Sequence, residues 1–117
     1  MNLEVGMLVR TKDRGIAKIK GFHSNVYSDY IITSCGFDLV CRKEIIKASH
    51  NIIDLIEVGD YVNGAKVDNI ILKDDKEICF RYKYAFEKED VYTLHLEDIE
   101  TIVTKEQFES MSYKVKE

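Results

Sequence analysis

The chain has 117 residues, enough for one compact domain or two very small ones that share an interface. At 45% hydrophobic, 32% charged and a net charge of −4, it has the composition of an ordinary globular protein, with no apolar run long enough to span a bilayer. An acidic chain also lacks the broad basic surface that non-specific DNA binding needs, so neither a membrane nor bulk DNA is expected as a partner.

In chain order, the strand signals come first. "MLVRT" and "IAKIKGF" flank "KDRG", whose Asp13 and Gly15 suit a turn, and together they predict a hairpin. "VYSDYIITS" and "DLVCRK" follow around "CGF", and "EIIKA" comes directly after them. Ser49 is positioned to cap a short turn through "HNIIDL", where Ile52, Ile53, Leu55 and Ile56 are too apolar for an exposed linker. That segment is expected to be buried between two packed units.

The chain then restarts. "LEVGMLV" (3–9) and "IEVGDYV" (56–62) match at glutamate, valine, glycine and the final valine. "DYV" and "KVDNIIL" flank Asn63-Gly64, the strongest two-residue signal for a type I′ hairpin turn. "EICFRYKYAF", "VYTLHL" and "DIETIV" predict three more strands, rich in the β-branched and aromatic residues that suit a pleated surface. Thr104 with Gln107 makes a capping box for a terminal helix in "KEQFESM".

A repeat of about fifty residues in so short a chain predicts a tandem duplication. The expected fold is mainly β: two tandem small SH3-like or Tudor-like β-barrel units, residues 1–55 and 56–117, with short helical turns, packed as one rigid body. Charge is split unevenly between them. Residues 1–56 carry 8 Lys/Arg against 6 Asp/Glu, whereas residues 57–117 carry 9 against 15.

Little in the sequence points to catalysis or metal binding. His23, His50 and His95 are far apart and none has a ligand-like spacing to a cysteine or carboxylate. No glycine-rich phosphate loop occurs, so no enzymatic activity, cofactor or metal is expected. Cys35, Cys41 and Cys79 form an odd set without paired spacing, which fits a reducing, cytoplasmic setting, as does a start without signal-peptide layout.

The residues best suited to binding are aromatic and basic. In "ICFRYKYAF", alternation sends Phe80, Tyr82, Tyr84 and Phe86 to one face and Arg81, Lys83 and two small residues to the other. Such a stripe is either the core of a small barrel or a stacking shelf for a nucleobase, with Arg81 or Lys83 reaching phosphate. A second set gathers Tyr27, Tyr30 and Phe37 near Arg42 and Lys43. Arg10, Lys12, Arg14 and Ile16, on the first hairpin, are candidates for contact with a protein partner; edge lysines there equally serve to discourage strand pairing between copies.

Two resemblances narrow the setting. "VGMLVRTKDRGIAKI" resembles the opening hairpin of bacterial Tudor-like modules that bind RNA polymerase, with Gly6, Val9, Gly15, Ile16 and Lys18 fitting the pattern. "KASHNIIDLIEVGDYVNG" with the terminal "IVTKEQFESMSYKV" resembles a group of small proteins encoded in phages and prophages of Firmicutes. The second resemblance implies a phage accessory protein in the host cytoplasm, expected to act against a host defence system by binding a host factor. The alternatives are a sponge that sequesters a nucleotide-type immune signal at an oligomer interface and, from the first resemblance, a Tudor-like module that binds RNA polymerase. Free strand edges make a homodimer or higher homo-oligomer an open alternative.

Overall fold

The computed structural model describes residues 2–24, 29–33, 39–85 and 88–111. The chain is mainly β, with eleven strands, three 3-10 turns and one short α-helix among the described residues. The strands β1 (Leu8–Thr11), β2 (Ile16–Ser24), β3 (Asp29–Thr33), β4 (Leu39–Cys41) and β5 (Ile45–Ser49) form one antiparallel sheet in the order β4-β3-β2-β1-β5. A second sheet of three strands contains β8 (Asn69–Lys73), β9 (Glu77–Ala85) and β10 (Lys88–His95), in the order β10-β9-β8. A third pairs β6 (Tyr61–Val62) with both β7 (Ala65–Lys66) and β11 (Ile102–Val103). Among the described residues none of the three closes into a barrel.

The two "EVG" phrases make the same local structure. In the first, Met7 N donates to Glu4 O at 3.1 Å, Gly6 N to Ile19 O at 2.9 Å and Ile19 N to Met7 O at 2.8 Å. In the second, Asp60 N donates to Glu57 O at 3.1 Å, Gly59 N to Val67 O at 2.8 Å and Val67 N to Asp60 O at 2.8 Å. Gly6 and Gly59 hold φ of 94° and 98°, the left-handed value that the third position of a type II turn requires. Later elements also correspond. β4 leads through a 3-10 turn (Arg42–Glu44) to β5, which pairs with β1; β10 leads through a 3-10 turn (Leu96–Asp98) to β11, which pairs with β6.

The Asn63-Gly64 turn forms with both residues at positive φ, 49° and 83°, as a type I′ turn demands. The expected strand "KVDNIIL" is divided in two. Val67 N turns back to Asp60 O and Asp68 N reaches Arg81 O at 2.9 Å, so the chain leaves one sheet at Lys66 and enters another at Asn69.

Two apolar clusters support these sheets. Val9, Ala17, Ile19, Ile31, Val40 and Ile45 pack under the first; Val62, Val67, Ile78, Phe80 and Leu94 pack with Ile53 and Ile56 under the second. The segment around a 3-10 turn (Ile52–Leu55) is buried as expected, with Ile53, Leu55 and Ile56 fully enclosed. Its cap is Asn51 rather than Ser49: Asn51 Oδ1 accepts from Ile53 N at 3.0 Å, while Ser49 Oγ accepts from Asn51 N and donates to Asp54. The last helix, α1 (Lys105–Met111), is capped as expected, Thr104 Oγ1 accepting from Gln107 N at 3.1 Å.

Helix α1 reaches back to the first hairpin. Ser110 Oγ donates to Asp13 O at 3.3 Å, and Gln107 lies so close to Gly15 that a Cβ there would sit 2.5 Å from its Oε1. Beneath these contacts is a buried ionic centre. The Arg10 guanidinium is fully enclosed and all five of its N–H groups are used. Nη1 donates to Asp60 at 2.5 Å and to Leu55 O at 2.8 Å, Nη2 to Asp60 and Glu106 at 2.6 Å each, and Nε to Glu106 at 3.0 Å. Asp60, also fully buried, accepts two further bonds from Glu57 N and Lys105 N. Arg10 therefore holds three distant parts of the chain together. Its assignment to an exposed hairpin surface is corrected: the side chain points into the molecule because its counter-charges lie 50 and 96 residues further on.

Candidate functional site

The inward face of the β8-β9-β10 sheet carries Ile78, Phe80 and Tyr82 from β9 and Tyr92 and Leu94 from β10. The register sets Tyr92 opposite Phe80 and Leu94 opposite Ile78. The aromatic stripe is thus divided by depth. Phe80 is fully buried and belongs to the core, whereas Tyr82 and Tyr92 are half-buried at its margin. Their rings form a tilted group, with centroids 5.6 Å apart for Phe80–Tyr92, 6.4 Å for Phe80–Tyr82 and 5.8 Å for Tyr82–Tyr92.

The β6-β7 hairpin stands against this margin and leaves a cleft of about 520 Å³. Tyr61 and Lys66 line it from the hairpin together with the turn at 63–65; Tyr82, Lys83 and Tyr92 line it from the sheet. Its size is that of a small-molecule site. The hairpin is anchored from behind, because Asn63 Oδ1 accepts from Glu100 N and Thr101 N, and Asn63 Nδ2 donates to Asp98 O. Three tyrosines and two lysines line the cleft and, among the described residues, no carboxylate does. In a half of the chain where acids outnumber bases 15 to 9, such a lining favours an anion with a planar, polarisable part.

A second cleft of about 300 Å³ adjoins the first, sharing Tyr61 and Lys66 with it. Its other wall is Gly59 and, from α1, Lys105, Phe108 and Glu109. Phe108 is half exposed and its ring centroid lies 5.0 Å from that of Tyr61. Lys105 Nζ is 3.5 Å from Glu57, so its charge is already shared. The Lys66 ammonium makes no hydrogen bond or ion pair among the described residues.

Of the ligand-binding residues expected from sequence, Tyr82 and Lys83 lie in the cleft. Arg81 is exposed on the opposite face of β9, across from Val91, and is not part of the lining. Tyr84 and Tyr30 are strand residues whose side chains lie outside the described residues, as do Tyr27, Phe37 and Phe86 altogether. Arg42 and Lys43 are exposed in the first 3-10 turn, and Arg42 sits 5.4 Å over the Phe22 ring. Lys12 and Arg14 are exposed on the first hairpin and Ile16 is half-buried. Tyr61, Lys66 and Tyr92 were not singled out by sequence. The available signal was "DYVNGAK", since a two-residue turn places Tyr61 directly opposite Lys66.

Histidine chemistry is confined to the surface: His50 lies 3.0 Å from Glu4 and His95 3.6 Å from Glu77. Among the described residues no three potential ligands gather to hold a metal ion, and no helix is long and apolar enough to cross a membrane. No family model, no curated protein and no solved structure matches this chain.

Proposed function

We propose that the chain is a phage-encoded, non-catalytic binding protein that captures a small nucleotide-type anion in the cleft between β6-β7 and β9-β10, withholding a host immune signal from its receptor. The observation that carries this reading is the lining of that cleft, three tyrosines and two lysines with no carboxylate among the described residues, in an acidic half of the chain. Tyrosine faces suit a base, and lysine ammonium groups suit phosphate. The phage setting rests on the resemblance of the "KASHNIIDLIEVGDYVNG" and "IVTKEQFESMSYKV" phrases. The repeated turn geometry, and the return of β5 and β11 to the first strand of each half, support two tandem SH3-like units.

Titration calorimetry with AMP at low and moderate salt tests the reading. Binding is expected to weaken as salt rises and to be lost in Lys66→Glu/Lys83→Glu, whose melting temperature should stay near that of the parent because both side chains are exposed. Absence of heat with AMP, GMP and their cyclic forms would remove the nucleotide reading.

A protein partner is the second reading, favoured by the outward face of the second sheet, where Leu72 and Val91 are each 46% exposed. They stand on the two outer strands of the sheet with β9 between them, and large apolar side chains exposed on one sheet face suit a protein contact. Leu72→Lys/Val91→Lys should then abolish capture of a host polypeptide and leave nucleotide binding intact.

A further inference from the structure

The two clefts share a wall, and that wall determines what shape of ligand they accept together. Tyr61 and Lys66 line both, so the two spaces meet at this pair. Each side has its own aromatic surface: Tyr82 and Tyr92 at the sheet end, Phe108 at the helix end. Positive charge has a different distribution. Lys83 lines the larger cleft and Lys66 lines both, whereas Lys105 at the far end is paired with Glu57 and lies near Glu109.

We infer that the two clefts form one groove for a dinucleotide, with one base against Tyr82 and Tyr92, the second against Phe108, and the linking phosphate beside Lys66. This rests on the nucleotide reading above and narrows it from one base to two. A mononucleotide occupies the larger cleft and leaves Phe108 uncovered. A ligand with rings at both ends and an anion between them covers both aromatic surfaces and puts its charge where the lysine is not already neutralised. Phosphate beside Lys105 alone would have to compete with Glu57 and Glu109, so the shared wall is the better anion position.

The inference predicts a separation between two affinities. AMP, the linear dinucleotide ApA and the cyclic dinucleotide of adenosine would be titrated into the full chain and into two variants, Phe108→Ala and Tyr92→Ala. At least one dinucleotide should bind about tenfold more tightly than AMP, the scale of one added base–aromatic stack. Phe108→Ala should erase that advantage and leave AMP binding unchanged, since Phe108 is half exposed and contributes little to the core. Tyr92→Ala should weaken all three ligands. If AMP binds as tightly as both dinucleotides, or if Phe108→Ala weakens AMP and dinucleotide equally, the two-base groove is wrong while the one-base cleft stands. If none of the three binds, the nucleotide reading fails and the groove with it.

Discussion

Arg10 and Asp60 satisfy each other almost completely. Five guanidinium donors meet Asp60, Glu106 and a carbonyl, and the Asp60 carboxylate accepts four bonds. A buried pair of this kind adds little net stability when formed, but is costly to break from one side. Arg10→Met should therefore lower the unfolding free energy by about 3–5 kcal/mol, because Asp60 is left enclosed without its counter-charge. Urea denaturation would measure this, and a loss below about 1 kcal/mol would mean that the centre rearranges around water. Burial opposes the Arg10 charge, yet the hydrogen bonds it donates to Asp60 and Glu106 outweigh it and raise its pKa.

The hydrogen bonds from Arg10 hold the Glu106 carboxyl below its usual range. A depressed carboxylate contributes stability above its unfolded value, about 4.3, and that contribution is lost as pH falls through the lower folded value. Stability should accordingly drop on acidification below about pH 4, and Glu106→Gln should flatten that part of the profile. Equal slopes in the two proteins would assign the acid loss to other carboxylates. Asp74, whose carboxylate accepts from Lys76 N and Glu77 N at the β8-β9 turn, is also held low and remains in the variant as an internal reference.

At the scale of elements, Gly15 shows which of two effects governs a turn. It has φ of 76°, and a Cβ there would meet Gln107. The clash involves the far end of a flexible side chain, which can swing away at little cost. The left-handed backbone cannot be avoided and costs roughly 1–2 kcal/mol for an L-residue. Gly15→Ala should thus destabilise by about that amount, and adding Gln107→Ala should recover little of it. Recovery of most of the loss would show that helix docking, not backbone strain, sets the cost.

The elements were legible where the signal is local. Asn63-Gly64, the alternation through β9, and Thr104 as a cap depend on residues a few positions apart, and each forms as the sequence implies. The split of "KVDNIIL" was not legible, because it depends on Val67 bonding back to Asp60 and Asp68 reaching Arg81 in another sheet. Arg10 was misplaced for the same reason. An arginine in a run of basic residues reads as surface until Asp60 and Glu106 are brought to it by the fold. Of the candidate cleft, Tyr82 could be read from strand alternation, which sends Lys83 to the other face of β9; the part that Lys83, Tyr61 and Lys66 take in the lining needed the hairpin and the sheet to be set side by side.

For the whole molecule, the ionic centre makes the two halves dependent on one another. Apart from the Leu55 carbonyl, every acceptor of Arg10 lies beyond residue 55. Residues 1–55 alone would have to bury or expose an unpaired guanidinium, so this fragment should not fold stably. The intact chain should melt in one calorimetric transition with matching van't Hoff and calorimetric enthalpies. Two resolved transitions would show that the halves are independent in spite of the contacts between them.

The span of the Arg10 contacts also bears on how fast the protein comes apart. Closing them brings together residues 50 and 96 positions apart, and chain entropy opposes such long loops until the local hairpins exist. They are therefore expected to form after the rate-limiting step of folding. A contact absent from that step acts as a brake on unfolding alone. In a stopped-flow series, Arg10→Met should leave the refolding limb nearly unchanged and steeply accelerate the unfolding limb, so that this one centre sets the lifetime of the folded chain more than its speed of assembly.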